Sequence, residues 1–393
     1  MNYRKLFSEH KIVRDLSLVQ FIAYFGAWFS NVAIYTMLVE FGSTEMAISM
    51  VTAMHFLPAI LIAPFSGAII DRVKIKPLMI TLLCTELLMT LLFLTINDKS
   101  QIWFLMILIF IRMSAASMFF STEMSLLAKL LNGKPLQMAN EIHSIIWSFT
   151  YAVGMALSGF IVNSFGFKTA FMLDAFIFTV ALIVFIRIDF VVKASITSDK
   201  ILELIKDGFV YIKNNKIMLH LIFLHSCVGL TSFDALITIL AKNEYKYIIS
   251  VPLAIGLSNA VRAVALMIGP VIISKYVTKE NLHYLMIFQG ITIIFWGLNQ
   301  SSFYISLISL FFVGLSTATL WSFTYALIQN KCDEKYIGRV ISYNDMFFML
   351  SCVATTLFVG LMASLTSTDI ITILLGIGFL AFAFYYTRIL KWI

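Results

Sequence analysis

Apolar residues in this chain come in long runs, and polar residues are confined to the short stretches between them. A helix needs roughly 20 apolar residues to cross about 30 Å of hydrocarbon, and its backbone polar groups must be satisfied within the segment. The runs therefore predict twelve membrane-spanning helices. The first six lie near residues 17–39, 46–70, 77–96, 102–128, 138–162 and 168–188, and the second six near 217–241, 252–276, 282–298, 302–326, 337–361 and 369–388. A membrane barrel would show short alternating segments instead, and the chain has none.

Between the two sets, 189–216 is the longest polar stretch. From Asp199 to Lys213 apolar residues return at helical spacing beside lysines, which predicts an amphipathic helix on the inner leaflet. The expected fold class is an all-α membrane protein with twelve transmembrane helices in two pseudo-symmetric six-helix bundles. Residues 1–188 form the N-terminal bundle, 189–216 the cytoplasmic linker and 217–393 the C-terminal bundle.

Composition agrees, since 60% hydrophobic and 12% charged residues is more apolar content than a soluble core hides. The net charge of +7 matters through its distribution. Lys99, Lys168, Lys242 and Lys246 fall on one side and Arg112 and Arg262 within spans, leaving 22 of the 28 lysines and arginines on the other side. That positive-inside bias places both termini and the basic loops in the cytoplasm and removes the case for a nucleic-acid partner. The stretch 1–16 is polar and basic without cleavable-signal architecture, so the first span is expected to target the chain. Cys84, Cys227 and Cys352 in spans and Cys332 in a cytoplasmic loop offer neither an outward disulfide pair nor metal-ligand spacing. No cofactor is expected. No enzyme is expected either, because the chain lacks a phosphate-cradling glycine loop, a serine elbow and a His-Glu-x-x-His motif.

One stretch carries a signature. Pro64-Phe-Ser-Gly67-Ala-Ile-Ile-Asp71-Arg72-Val-Lys74-Ile-Lys76-Pro77 ends an apolar run in glycine, sets a carboxylate four residues later and adds three cations. It resembles the loop between helices 2 and 3 of the major facilitator superfamily, usually Gly-x-x-x-Asp-Arg-x-Gly-Arg-Lys. Gly67, Asp71, Arg72 and Lys76 match, while Lys74 and Ile75 replace the second glycine and the cation after it. Gly67 has a counterpart in Gly269, and 133–140 has one in 333–340, so the halves read as repeats of the kind that build secondary transporters. Ile273 stands where Asp71 would recur. Gly26-Ala-Trp28, Phe56-Leu-Pro58-Ala, Gly154 to Gly159, Asp207-Gly-Phe-Val-Tyr211 and Ile337-Gly-Arg-Val340 are similar to the branch containing macrolide-efflux and enterobactin-exporter proteins. That branch commonly has an acid where this chain has Ala27.

The resemblance implies a gate in which Asp71, flanked by Arg72 and Lys76, packs against the start of the eleventh span at Gly338 and Arg339, a helix N-terminus that favours negative charge. The competing reading is a loop charge that only sets topology. A charge near the bilayer centre is costly, so each ionisable residue inside a span asks for a role. Related antiporters have an arginine at the place of Arg112 linked to proton movement, and coupling and a fixed structural pair are both open for it. Glu86, Asp174 and Asp234 are candidate proton carriers. Glu123 and Asp345 are candidates too, but nearer the cytoplasmic span ends, where salt bridges are the expected role. Arg262 is expected to pair with Asp234, and His55 and His225 to be packing residues. Pro58, Pro64, Gly154 and Gly159 are expected to bend helices or let them approach. Trp28, Trp147 and Trp321, near spans that line the family's central cavity, are candidate substrate contacts. The resulting reading is a monomeric secondary transporter that exports small amphipathic molecules, drug-like or siderophore-like, in exchange for protons by alternating access. Import or uniport of a small metabolite, and a membrane sensor without transport, are the alternatives.

Overall fold

The computed structural model describes residues 3–190 and 201–392, without the side chains of Pro64, Gly67, Ala68, Asp71, residues 201–205 and Glu334. A short α1 (Tyr3–Glu9) precedes the first six spans: α2 (Lys11–Glu40), α3 (Glu45–Arg72), α4 (Ile75–Phe93), α5 (Ile102–Leu130), α6 (Gly133–Phe165) and α7 (Phe167–Ile186). The linker contains α8 (Ile201–Asn214). In the second half α9 (Lys216–Ser226) and α10 (Asp234–Asn243) share one span, followed by α11 (Val251–Ile273), α12 (Leu282–Leu298), α13 (Phe303–Lys331), α14 (Ile337–Met362) and α15 (Thr368–Ile389). Eleven stretches are long and apolar enough to cross a membrane, and α12, with 17 residues, completes the twelve-helix arrangement. The described residues contain no strand.

Local chemistry sets the ends. The Thr44 hydroxyl caps α3 by accepting from the Ala47 amide, and Asn215 caps α9 by accepting from Ile217 and Met218. Gly166 takes a left-handed φ of 80°, which glycine adopts without steric cost, so α6 turns into α7 on that one residue.

The seventh span is broken. Its helix tightens to a 3₁₀ turn over Cys227–Thr231 and resumes at Asp234. At the break α14 comes so close that a Cβ on Gly229 would lie 2.6 Å from the Ser351 Cβ. Backbone groups freed inside a membrane must find partners. Arg262 on α11 donates its Nη2 to the Thr231 carbonyl at 3.1 Å.

Within the first half α2 packs on α6 and α7, and α5 on α3 and α4; in the second α13 packs on α11 and α12, and α12 on α15. The halves meet through α6 against α11 and α3 against α14. Both seams are tightest at the end away from α8, called here the far end. A Cβ on Gly256 would stand 2.7 Å from the Met155 carbonyl oxygen and 2.9 Å from the Gly159 Cα, so α6 and α11 cross backbone to backbone. Likewise a Cβ on Gly360 would meet the Ser49 Cβ at 2.5 Å. Gly256→Leu is expected to wedge α6 from α11, because the obstructing atoms are backbone and cannot turn aside. A lowered melting temperature in detergent, with faster labelling of a cysteine at the buried Ser43, would register the wedge; unchanged labelling and melting would refute it.

Candidate functional site

The two halves close at the far end and separate toward the linker. At the far end Lys242 of α10 reaches across to α3, donating to the Glu45 carboxylate at 2.7 Å and to the Ser43 carbonyl at 2.8 Å. At the linker end a Cβ on Gly338 would meet nothing within 4 Å. Further in, Trp147 and Trp321 are 41% and 39% exposed. Trp321 lies nine residues along α13 from Phe312, about half a turn round the helix at roughly 100° per residue, so it points away from the exposed outer strip of Tyr304, Ile308 and Phe312. The space between the halves is therefore a cleft open at the linker end.

Behind its N-terminal wall lies a buried polar network. Arg112 on α5 donates to the Asp174 carboxylate on α7 at 2.8 Å, the side chains being 7% and 0% exposed. The Ser30 hydroxyl of α2 donates to the same carboxylate oxygen. The guanidinium also lies over the rings of Phe93 and Phe178 at 5.6 and 5.4 Å. Glu86 is buried on α4, within electrostatic range of both members of the pair. Asp174 presses on α2 at Gly26, where a Cβ would stand 2.7 Å from Oδ1. It thus delivers a carboxylate beside Ala27.

Nearer the middle of the cleft the rings gather on α2 and α6. Trp28 stacks on Tyr151 at 4.4 Å, meets Trp147 edge-on at 6.1 Å and donates its indole NH to Thr150 at 3.3 Å. Gly154 makes room for it, since a Cβ there would lie 2.9 Å from the Trp28 Cβ. Tyr151 donates across the α6–α11 seam to Asn259 at 3.3 Å. Asp234 begins α10 just past the break, where the helix dipole favours a carboxylate. Arg262 does not pair with it. The Arg262 guanidinium binds the Thr231 carbonyl and lies over the Phe233 ring at 5.4 Å, because the break exposes a carbonyl that hydropathy does not show. His55 lies 6.0 Å from the Tyr35 ring, near Asp234.

Glu123 and Asp345 are the other departures from expectation. Neither forms an ion pair among the described residues: Glu123 keeps a buried Oε2 without a partner, and Asp345 is touched by the Asn344 amide at 3.4 Å. The basic residues near them sit at the helix ends, more than a turn away in sequence.

At the linker end Arg72 is exposed, and Lys76 reaches Asp189, the first residue of the linker, at 3.5 Å rather than the second half. Gly67 and Asp71 lie on the backbone of α3, with side chains outside the described residues. Arg339 donates to Asp207 of α8 at 2.7 Å. A Cβ on Gly208 would come within 2.9 Å of the Arg339 Cβ, and Tyr211 stacks on Tyr336 at 4.2 Å while accepting from the Asp333 amide. Two motif stretches 132 residues apart thus form one contact, with α8 clasping the start of α14. Sequence reasoning noted both stretches without joining them, and it passed over Glu45, Ser30, Asn259 and Gly256 because nothing in linear order marks their partners.

Residues 16–354 match the model of the Major Facilitator Superfamily, and the chain belongs to that family. It is a multi-pass membrane protein. An uncharacterized MFS-type transporter of Bacillus subtilis (strain 168), YfiS, is 26% identical over 222 residues, which are 55% of this chain and 52% of that protein. The match thus spans about half of that relative. Among solved structures, the nucleoside transporter NupG superposes with a TM-score of 0.77 at 11% identity, covering 96% of this chain and 99% of that one. A bacterial homolog of the human lysosomal transporter Spinster superposes with a TM-score of 0.74 at 12% identity, covering 97% of each.

Proposed function

We propose that the chain exports small amphipathic molecules by proton antiport, as a monomer in the cell inner membrane, and that its cleft here opens to the cytoplasm. The observation that carries this reading is the Arg112–Asp174–Ser30 group buried beside Glu86. An arginine keeps its charge in a protein, so its contribution is to hold a carboxylate that protons and conformation can release. Glu86, Glu123 and Asp174 against Arg112 leave that interior with more proton acceptors than one cation neutralises.

The positive-inside distribution supports a cytoplasmic linker end, and the branch resemblance supports export. The missing acid at Ala27 is no obstacle, since Asp174 brings a carboxylate to the same level from α7. In the working cycle the bundles 1–188 and 217–393 rock about the α6–α11 and α3–α14 seams. Asp71, Arg72 and Lys76 then close on Gly338 and Arg339, while Asp234 serves as a second proton carrier at the head of α10. Trp28, Trp147 and Trp321 present apolar faces to the substrate.

Reconstituted in proteoliposomes around a pH-sensitive dye, the protein is expected to move protons opposite to an added substrate. Co-directional flux would replace antiport with import by symport, and gradient-insensitive flux with uniport. Silence over a broad substrate panel would favour a sensor.

A further inference from the structure

The C-terminal wall of the cleft holds a group of side chains of which the roles above use only Trp321. About ten residues in from the linker end, His225 of the seventh span lies 5.8 Å from Trp321 and 5.6 Å from both Tyr325 and Phe348. Trp321 and Tyr325, one turn apart on α13, stack at 4.8 Å with planes 20° apart. The His225 Nδ1 is hydrogen-bonded to Thr324 at 2.8 Å, which fixes the ring, and its Nε2 is buried without a partner. Asp345 sits one turn before Phe348 on α14, half-buried and within electrostatic range of the Tyr325 hydroxyl. Among the described residues its carboxylate has the Asn344 amide at 3.4 Å and no lysine or arginine. A carboxylate taken out of water inside a membrane protein calls for a cation. Aromatic faces attract the same charge. Trp321 turns into the cleft, as its position half a turn from the outer strip requires.

The opposite wall repeats the pattern. Phe120 occupies the same position in α5 as Trp321 does in α13, packs on His143 at 5.1 Å and is 44% exposed. Tyr24 meets His143 edge-on at 5.9 Å, and Glu123 nearby keeps its unpartnered Oε2. Both walls at this depth therefore offer rings and a carboxylate, and among the described residues no lysine or arginine is paired to either acid.

We infer that the cleft takes an organic cation, its charge at Asp345 and its apolar body against Trp321, Tyr325 and Phe348. This rests on the transporter reading and narrows its amphipathic substrate to a positively charged one.

The test is equilibrium dialysis of the purified full-length protein in detergent against labelled tetraphenylphosphonium, with tetraphenylborate as the probe of the same shape and opposite charge. Saturable phosphonium binding is expected, with no saturable borate binding. Asp345→Asn is expected to weaken the phosphonium about tenfold, roughly the loss of one partly desolvated charge contact. Trp321→Ala is expected to weaken it as well, and Asp345→Glu to retain it. Melting curves establish that each variant is folded, and the glutamate and alanine variants carry the test if the asparagine one is not. No phosphonium binding, equal binding of both probes, or an unaffected Asp345→Asn would overturn the inference. No gradient or second compartment enters the measurement. Failed binding with proton-coupled flux intact therefore removes the cation alone, and intact binding without coupled flux removes antiport alone.

Discussion

Lys242→Glu is expected to open the far end of the cleft. Lys242 and Glu45 join the two halves there at 2.7 Å, with side chains 21% and 24% exposed. Partial exposure lets solvent screen the pair, so its contribution is about 1–2 kcal/mol rather than that of a buried pair. Substituting glutamate removes the attraction and sets two carboxylates face to face; each 1.4 kcal/mol transferred to the open state raises its population about tenfold. The reporter is Ser43→Cys in a chain whose Cys84, Cys227, Cys332 and Cys352 have been replaced, because Ser43 is buried beneath the pair and lends Lys242 its carbonyl. Labelling by a membrane-impermeant maleimide should accelerate in Lys242→Glu and in Glu45→Lys, and return toward the parent rate when both are present. That recovery is the decisive comparison, since it separates the pair from unrelated packing damage. Equal labelling in single and double variants would mean that the glycine seams alone hold the far end shut.

The spans were legible because eleven are runs of apolar residues as long as the bilayer demands and the short α12 is an apolar run between two of them, and no tertiary information is needed to see that. The break in the seventh span was not. Apolar residues continue through Cys227 and Val228 and no proline interrupts them, while the close passage of α14 at Gly229 is a tertiary contact that linear order does not mark. The displaced partnership of Arg262 follows from the same break, which offers it a carbonyl in place of Asp234. Charges inside spans were recognisable as costly, and Arg112 with Asp174 is the case in which two such residues find each other, 62 positions apart. Lys242 was visible only as one of four cations on the minority side, because what makes it a gate is Glu45 on the other half. Asp207 and Arg339 each stood in a motif stretch, yet no rule of spacing joins a linker helix to the eleventh span.

Neutralising Arg112 and Asp174 one at a time and then together distinguishes a coupling device from a structural bond. With the pair 7% and 0% exposed, removing one partner strands a charge in a medium that cannot solvate it, a cost of about 3–5 kcal/mol. Arg112→Gln and Asp174→Asn should therefore each lower the melting temperature, with Asp174→Asn keeping a hydrogen-bonding group toward Ser30. The double variant strands neither charge, and a neutral amide pair of similar shape is expected to recover most of the lost stability. Transport should not recover with it. If Asp174 passes protons while Arg112 holds it between transfers, the double variant will still equilibrate substrate down its own gradient but will ignore an imposed pH gradient. If the pair is a static brace between α5 and α7, restored stability will bring back gradient-driven transport in full. Recovery of both properties together would remove proton coupling from this site and leave Glu86 and Asp234 as the acids to test.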